Sequence, residues 1–228
     1  GLKMQLDISE LKYVLFDWDN TLAESRSSLV CAVDKILADY NLPCWKISME
    51  KRDRNLSFKD NFPRIFGKDA AAAYEKYREV YKAIVTEKIT TFEKVREVLS
   101  FLAERHIKIM IVTNKERILL EYELPLLFDK KMFCNIVCGH EASADKPSGR
   151  HALYALQNFI KPEDINRKNV WVVGDSPQDS AMALAIGALP IRINKSIWGD
   201  TARGEDKEDI VWFDSFSDFY VALKLAKN

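Results

Sequence analysis

After residue 90 the chain alternates two kinds of apolar segment. Short β-branched runs with no polar alternation suit strands buried on both faces, and longer stretches with apolar residues every three or four positions suit helices. The pattern predicts strands over 13–16, 107–112, 136–137, 170–173 and 191–193. It predicts helices over 92–104, 116–128, 150–159 and 178–186, with a closing amphipathic helix over 216–227. Pro162, Pro177 and Pro190 fall near the ends of these elements. Strands joined by helical crossovers make one parallel sheet covered on both sides, so the expected fold class is α/β, a doubly wound parallel sheet.

The stretch 23–88 breaks this rhythm. Helical periodicity runs over 28–40 and 70–85, the alanines at 70–73 suit a helix start, and no strand pattern intervenes. Lys51-Arg52-Asp53-Arg54 and Pro63 mark a polar, irregular middle. The expected organisation is a core of residues 1–22 and 89–228 and a helical unit of residues 23–88 inserted after the first strand.

A length of 228 residues with 47% hydrophobic side chains allows a sizeable core and excludes disorder. The 34 basic and 34 acidic side chains cancel, so no basic field exists to hold nucleic acid or an anionic membrane, and the expected partner is a small molecule. Cys31, Cys44, Cys134 and Cys138 contain no CxxC pair, and no His stands at zinc-finger spacing. They are read as free, mostly buried thiols, with Cys134 and Cys138 on one strand face but too far apart to bridge. The opening GLKMQLDISE has no apolar run fit for secretion, and nowhere do about eighteen uncharged apolar residues follow one another, so a cytoplasmic location is expected.

Candidate chemistry sits where strands end. Tyr13-Val14-Leu15-Phe16 delivers Asp17-Trp18-Asp19-Asn20-Thr21 to the C-terminal edge, where parallel sheets gather ligands. Carboxylates so close repel and lose hydration, on the order of several kcal/mol per buried ion unless a cation or hydrogen bonds offset it. Val170-Trp171-Val172-Val173 delivers a second acidic pair in Gly174-Asp175-Ser176-Pro177-Gln178-Asp179. Oxygen-only ligands of this type suit magnesium, Mg2+. Either pair alone equally fits turn and cap chemistry; both together do not. Thr113-Asn114 ends another strand and Lys146-Pro147 precedes a helix, supplying a hydroxyl, backbone donors and an ammonium for a phosphoryl group gaining charge. Taken singly, Thr113 reads as a helix cap and Lys146 as a solvated lysine.

In order and spacing, Asp17-Trp18-Asp19-Asn20-Thr21, Thr113, Lys146-Pro147 and Gly174-Asp175-Ser176-Pro177-Gln178-Asp179 resemble the four motifs of the haloacid dehalogenase (HAD) superfamily. The resemblance spans nearly the whole chain, and the helical insertion is similar to that family's mobile cap. Val112-Thr113-Asn114-Lys115 and the Asp-Lys-Pro run at 145–147 are most similar to phosphoglycolate phosphatase-like members. The resemblance implies a magnesium-dependent phosphoric monoester hydrolase acting on a small phosphorylated metabolite, with a phosphoglycolate-like substrate. It implies Asp17 as nucleophile, forming an aspartyl-phosphate, and Asp19 as acid and then base. It places magnesium on the Asp17 and Asp175 carboxylates and the Asp19 backbone carbonyl, with Asp179 holding a coordinated water or orienting Lys146. Thr113, the Asn114 amide and Lys146 would hold the transferring phosphoryl. Members that cleave carbon–halogen bonds lack an acid at the Asp19 position and phosphonate-cleaving members carry Ala there, which leaves phosphoryl transfer. A phosphomutase would use the same intermediate but return the phosphoryl to a sugar. A silent binding protein would need none of these residues. Trp18 and Asn20 stand where Phe and Gly are frequent, and Gly149 where many relatives have a second Pro; Asn tolerates left-handed angles, so the turn is expected to persist.

Other candidates have weaker warrants. His140 follows a strand toward the same edge, although the phosphoryl chemistry does not require it, and His106 and His151 are read as structural. Arg52, Arg54, Lys59 and Arg64 form a basic stretch that would either meet an anionic part of the substrate or face solvent. Trp45 and Phe58 would line the same cavity or simply pack the cap. The charged loop at 199–209 carries no reading.

Overall fold

The computed structural model describes residues 5–53, 56–194 and 209–228. Arg54 and the charged loop up to residue 208 lie outside the described residues. Six strands form the main sheet: β1 (Tyr13–Phe16), β4 (Lys108–Val112), β5 (Asn135–Val137), β6 (Val170–Gly174), β7 (Leu189–Ile193) and β8 (Val211–Phe213). Their order is β5-β4-β1-β6-β7-β8 and every neighbouring pair is parallel. The order reverses at β1, and such a reversal opens the crevice in which these sheets bind ligands. Phe16 pairs with Ile111 on one side and Val173 on the other, so β1, β4 and β6 end almost level and their next residues share one edge.

Period-two geometry explains the unbroken apolar runs. Val14 and Phe16 enter one core with α5 (Val95–Glu104) and α9 (Phe216–Lys224), while Leu15 enters another with α7 (Gly149–Leu156) and α8 (Pro177–Ile186). Gly149 allows α7 to lie close to α8, since a Cβ there would stand 3.0 Å from both Ala185 and Ile186.

The insertion consists of α1 (Arg26–Asp39), α2 (Trp45–Ser48), α3 (Phe62–Phe66) and α4 (Ala70–Lys88). It has its own core, in which Leu29, Val33, Ile36 and Leu37 of α1 meet Phe62, Phe66, Tyr74, Tyr77 and Tyr81. Leu119 of α6 (Arg117–Leu127) joins that cluster and ties the insertion to the sheet domain. The chain leaves and returns through a two-stranded antiparallel ribbon, β2 (Ala23–Glu24) with β3 (Thr90–Thr91).

Several expectations need correction. The ribbon, α2, α3 and β8 are too short for periodicity to register over an 11-residue window. The closing helix stops at Lys224 and α7 at Leu156, earlier than expected, whereas α4 continues to Lys88. All four cysteines are free, but Cys138 alone is buried, Cys31 is half-buried and Cys44 and Cys134 are exposed; Cys134 and Cys138 flank β5 (Asn135–Val137) instead of lying on it, because that strand is only 3 residues long. Among the described residues no helix is long and apolar enough to cross a membrane.

Candidate active site

Asp17 follows β1, its backbone N–H donating to Val173 at 3.0 Å, which carries it onto the edge shared with β6. The Lys146 ammonium, buried beneath this edge, donates to Asp17 Oδ1 at 2.8 Å, Asp179 Oδ1 at 2.7 Å and the Val112 carbonyl at 2.9 Å. Two side chains hold the Lys146 backbone. The Asn114 amide donates to its carbonyl at 3.0 Å and accepts its N–H at 3.1 Å, and His151 Nδ1 shares that N–H at 3.1 Å. Asn114 therefore joins two of the sequence motifs with its side chain. Thr113 is buried, and its Oγ1 accepts the Lys115 N–H at 3.0 Å.

Asp179 lies in the first turn of α8, which Pro177 begins and Ser176 precedes. Its Oδ2 accepts from the Ser176 N–H at 3.2 Å and hydroxyl at 3.0 Å, so the cap role and the contact with Lys146 coexist. Gly174 makes room for this carboxylate: a Cβ there would come within 2.1 Å of Asp179 Oδ2. Asp175 is buried and accepts from the Asn20 amide at 3.2 Å. Asn20 has φ +58°, the left-handed angle its side chain was expected to tolerate.

One ligand atom from each of Asp17, Asp175 and Asp179 falls within 4.8 Å of the others. Burial and then the Asp179 charge push the Asp17 carboxyl up to about 6, against the pull of Lys146. Burial, Asp17 and Asp179 hold Asp175 well above the usual carboxylate range. Among the described residues Lys146 is the one cation ion-paired with this trio. The surplus of buried negative charge and the oxygen-only donors fit a hard divalent cation.

Asp19 belongs to a different network. Its Oδ1 accepts from the Ser25 hydroxyl at 2.6 Å and from Lys115 Nζ at 2.8 Å. Lys115 also meets Glu123 Oε2 at 2.7 Å and donates to the Tyr81 hydroxyl at 3.0 Å. Burial opposes the Lys115 charge, but Asp19 and Glu123 outweigh it and hold the ammonium above the ordinary lysine range. The Trp18 indole N–H donates to Glu123 Oε1 at 3.0 Å. Sequence reasoning missed Ser25, Glu123 and the role of Lys115. A signal existed for Glu123: it continues the Leu119, Leu120, Leu124, Leu127 face of α6, where a carboxylate has no place without a partner.

A cavity opens above Asp17 and Asp19, lined on the core side by Thr113, Asn114, Lys115, Lys146 and Asp175 and on the cap side by Leu29, Leu56, Phe58, Lys59, Tyr74 and Tyr77. Phe58 and Lys59 line it, and Phe58 also packs against Phe62 and Tyr77 of the cap, so both readings of that residue hold. Lys59 is engaged by Glu116 at 2.6 Å, which also accepts from the Tyr74 hydroxyl at 2.6 Å. Trp45 instead packs in the cap core beside a separate groove that Arg52 also lines, and Arg64 bonds the Lys51 carbonyl. His140 is 58% exposed and is not among the lining residues.

His151 does have a structural task. With Nδ1 accepting from Lys146, its Nε2 donates to the Cys138 carbonyl at 3.1 Å, so the ring is fully used as a neutral imidazole. Burial, then the Lys146 charge, lower it from 6.5 to about 4. The unfolded chain therefore binds the extra proton, and this contribution to stability is complete above pH 6.5 and lost as pH falls toward 4. Its size is at most about 3 kcal/mol. Denaturant unfolding of wild type and His151→Ala should show a stability gap that narrows between neutral pH and pH 4.5; a gap that stays constant would rule out the neutral ring.

Comparison with known proteins gives a concordant picture. The model of the family described as haloacid dehalogenase-like hydrolase matches residues 14–192. The chain is 30% identical over 226 residues to the "Putative pyrophosphatase PpaX" of Caldanaerobacter subterraneus subsp. tengcongensis, covering 94% of both chains. It is 28% identical over 189 residues to a phosphoglycolate phosphatase of Caulobacter vibrioides, covering 79% of this chain and 78% of that one. Its fold matches the crystal structure of a predicted phosphoglycolate phosphatase from Haemophilus somnus with a TM-score of 0.78 at 20% identity, over 93% and 97% of the two chains.

Proposed function

This chain belongs to the haloacid dehalogenase-like hydrolase family, and from that premise we propose that it is a magnesium-dependent phosphatase hydrolysing a small phosphate monoester through an aspartyl-phosphate on Asp17. The observation that carries this reading is the carboxylate trio of Asp17, Asp175 and Asp179 at the reversal of the sheet, with Asp17 and Asp179 ion-paired to the buried Lys146.

In the first half-reaction Asp17 attacks phosphorus while Asp19 gives its proton to the leaving oxygen, releasing an alcohol. In the second, Asp19 takes a proton from water, the water oxygen attacks the aspartyl-phosphate, and phosphate leaves with Asp17 restored. The Thr113 hydroxyl, the Asn114 backbone amide and the Lys146 ammonium hold the phosphoryl oxygens. The carboxylates of Asp17 and Asp175 and the Asp19 carbonyl would hold magnesium, and Asp179 would orient Lys146, to which it is already bonded at 2.7 Å, or a water on the ion. When bound, magnesium supplies positive charge toward the phosphoryl oxygens. Residues 23–88 act as a cap that moves against the core of residues 1–22 and 89–228, admitting substrate and then excluding water.

The relatives named phosphoglycolate phosphatase make a phosphoglycolate-like substrate the first to test. Its carboxylate would have to draw Lys59 away from Glu116, since the rest of the described cap wall of the cavity is largely apolar and aromatic. The test is phosphate release from phosphoglycolate, pyrophosphate, sugar phosphates and an aryl phosphate, with and without magnesium. Release that stops on chelation and returns with magnesium is expected. No release from any ester with magnesium bound would overturn the reading, and phosphoryl recovered on a sugar would replace it with a mutase.

A further inference from the structure

Asp19 can serve as acid and base only if its carboxylate is fixed beside the leaving oxygen, yet it sits on a turn, 25% exposed, at the mouth of a cavity. We infer that Lys115, braced by Glu123 and the Trp18 indole, is a positioning residue for the Asp19 carboxylate. The inference rests on the acid/base reading of Asp19 given above.

Four observations carry it. The Lys115 ammonium reaches Asp19 Oδ1 at 2.8 Å, and the Ser25 hydroxyl reaches the same oxygen at 2.6 Å, so both contacts fall on one oxygen of a carboxylate that lines the cavity. Lys115 is itself held by two further side chains, Glu123 at 2.7 Å and the Tyr81 hydroxyl at 3.0 Å. Glu123 is 0% exposed in the middle of the apolar face of α6, a placement that no packing requirement explains. Trp18 completes the chain by donating to Glu123 at 3.0 Å, a bond that Phe at this position could not make. Trp18 precedes Asp19 in sequence, so one turn is pinned through both residues to the same Glu123–Lys115 pair.

The network also crosses between the two parts of the molecule. Lys115 comes from the loop after β4 and Glu123 from α6, whereas Tyr81 comes from α4 of the insertion and Ser25 from the residue before α1. Withdrawal of α4 would strip Lys115 of its Tyr81 contacts, so the grip on Asp19 is complete only with α4 in place.

A positioning role predicts damage that depends on the leaving group. An alkoxide needs the Asp19 proton in the transition state and a nitrophenolate hardly does, so kcat/KM, which reports the first half-reaction, separates the two cases. We would measure kcat/KM for an alkyl phosphate and for 4-nitrophenyl phosphate in wild type, Asp19→Ala, Lys115→Met, Lys115→Arg, Trp18→Phe and the double variant Lys115→Met/Glu123→Gln. The double variant removes both buried charges together and leaves neither unpaired. For Lys115→Met and the double variant the alkyl phosphate should lose roughly tenfold or more relative to the aryl phosphate. Lys115→Arg should recover part of that loss, Trp18→Phe should shift the ratio less in the same direction, and inhibition by inorganic phosphate should stay at the wild-type level. A wild-type alkyl-to-aryl ratio in the double variant, with Asp19→Ala shifted, would overturn the positioning role alone; a wild-type ratio in Asp19→Ala would overturn the acid/base reading beneath it.

Discussion

Asp17→Asn is expected to lower turnover by at least about 10⁴-fold, because an amide oxygen does not form the phosphorylated intermediate. The variant should fold as well as the wild type or better. Asn keeps an oxygen for the Lys146 bond at 2.8 Å and removes one of the carboxylates whose mutual repulsion and burial lift Asp17 to about 6. Acid quench with labelled substrate should trap phosphate on the wild-type protein and none on Asp17→Asn. Trapping by the variant would place the nucleophile elsewhere and remove the mechanism proposed above.

Lys146→Met should damage both activity and stability. Its ammonium lies under the site against Asp17, Asp179 and the Val112 carbonyl, and losing one member of a buried ion pair costs on the order of 3–5 kcal/mol. The loss has a defined pH dependence. Without Lys146 the buried carboxylates hold protons more tightly in the folded than in the unfolded state, so the stability deficit grows as pH rises and shrinks as pH falls toward 5. Magnesium should narrow the deficit at high pH by binding only the folded trio. Denaturant unfolding at pH 5 and pH 8, with and without magnesium, checks each part. A deficit independent of pH would mean that lost packing, not uncompensated charge, is what the substitution removes. Turnover should fall by roughly 10³-fold, as for the loss of a principal contact to the transferring group.

The strand core was legible because burial on both faces leaves an unmistakable trace: β1 appeared with its observed limits, and β4 and β6 within a residue. By contrast β8, the β2–β3 ribbon and α3 left no such trace because they are set by what they pair with or pack against. The cap side chains show the same divide. Arg52 and Lys59 look alike in a basic stretch, yet Lys59 lines the cavity and Arg52 a groove away from it.

The sequence by itself determined five of the six sheet strands, the helical insertion and the delivery of Asp17, Asp19, Thr113 and Asp175 to strand ends, since each follows from a local run of side chains. Only the tertiary structure decided which charges meet. Lys146 lies 129 residues from Asp17, and Lys115 lies 96 residues from Asp19, so their contacts depend on strand order and on the path of loops. Glu123 marks the boundary most clearly: its place on an apolar helix face is written in the sequence, while the ammonium that makes that place tolerable arrives only when the chain is packed.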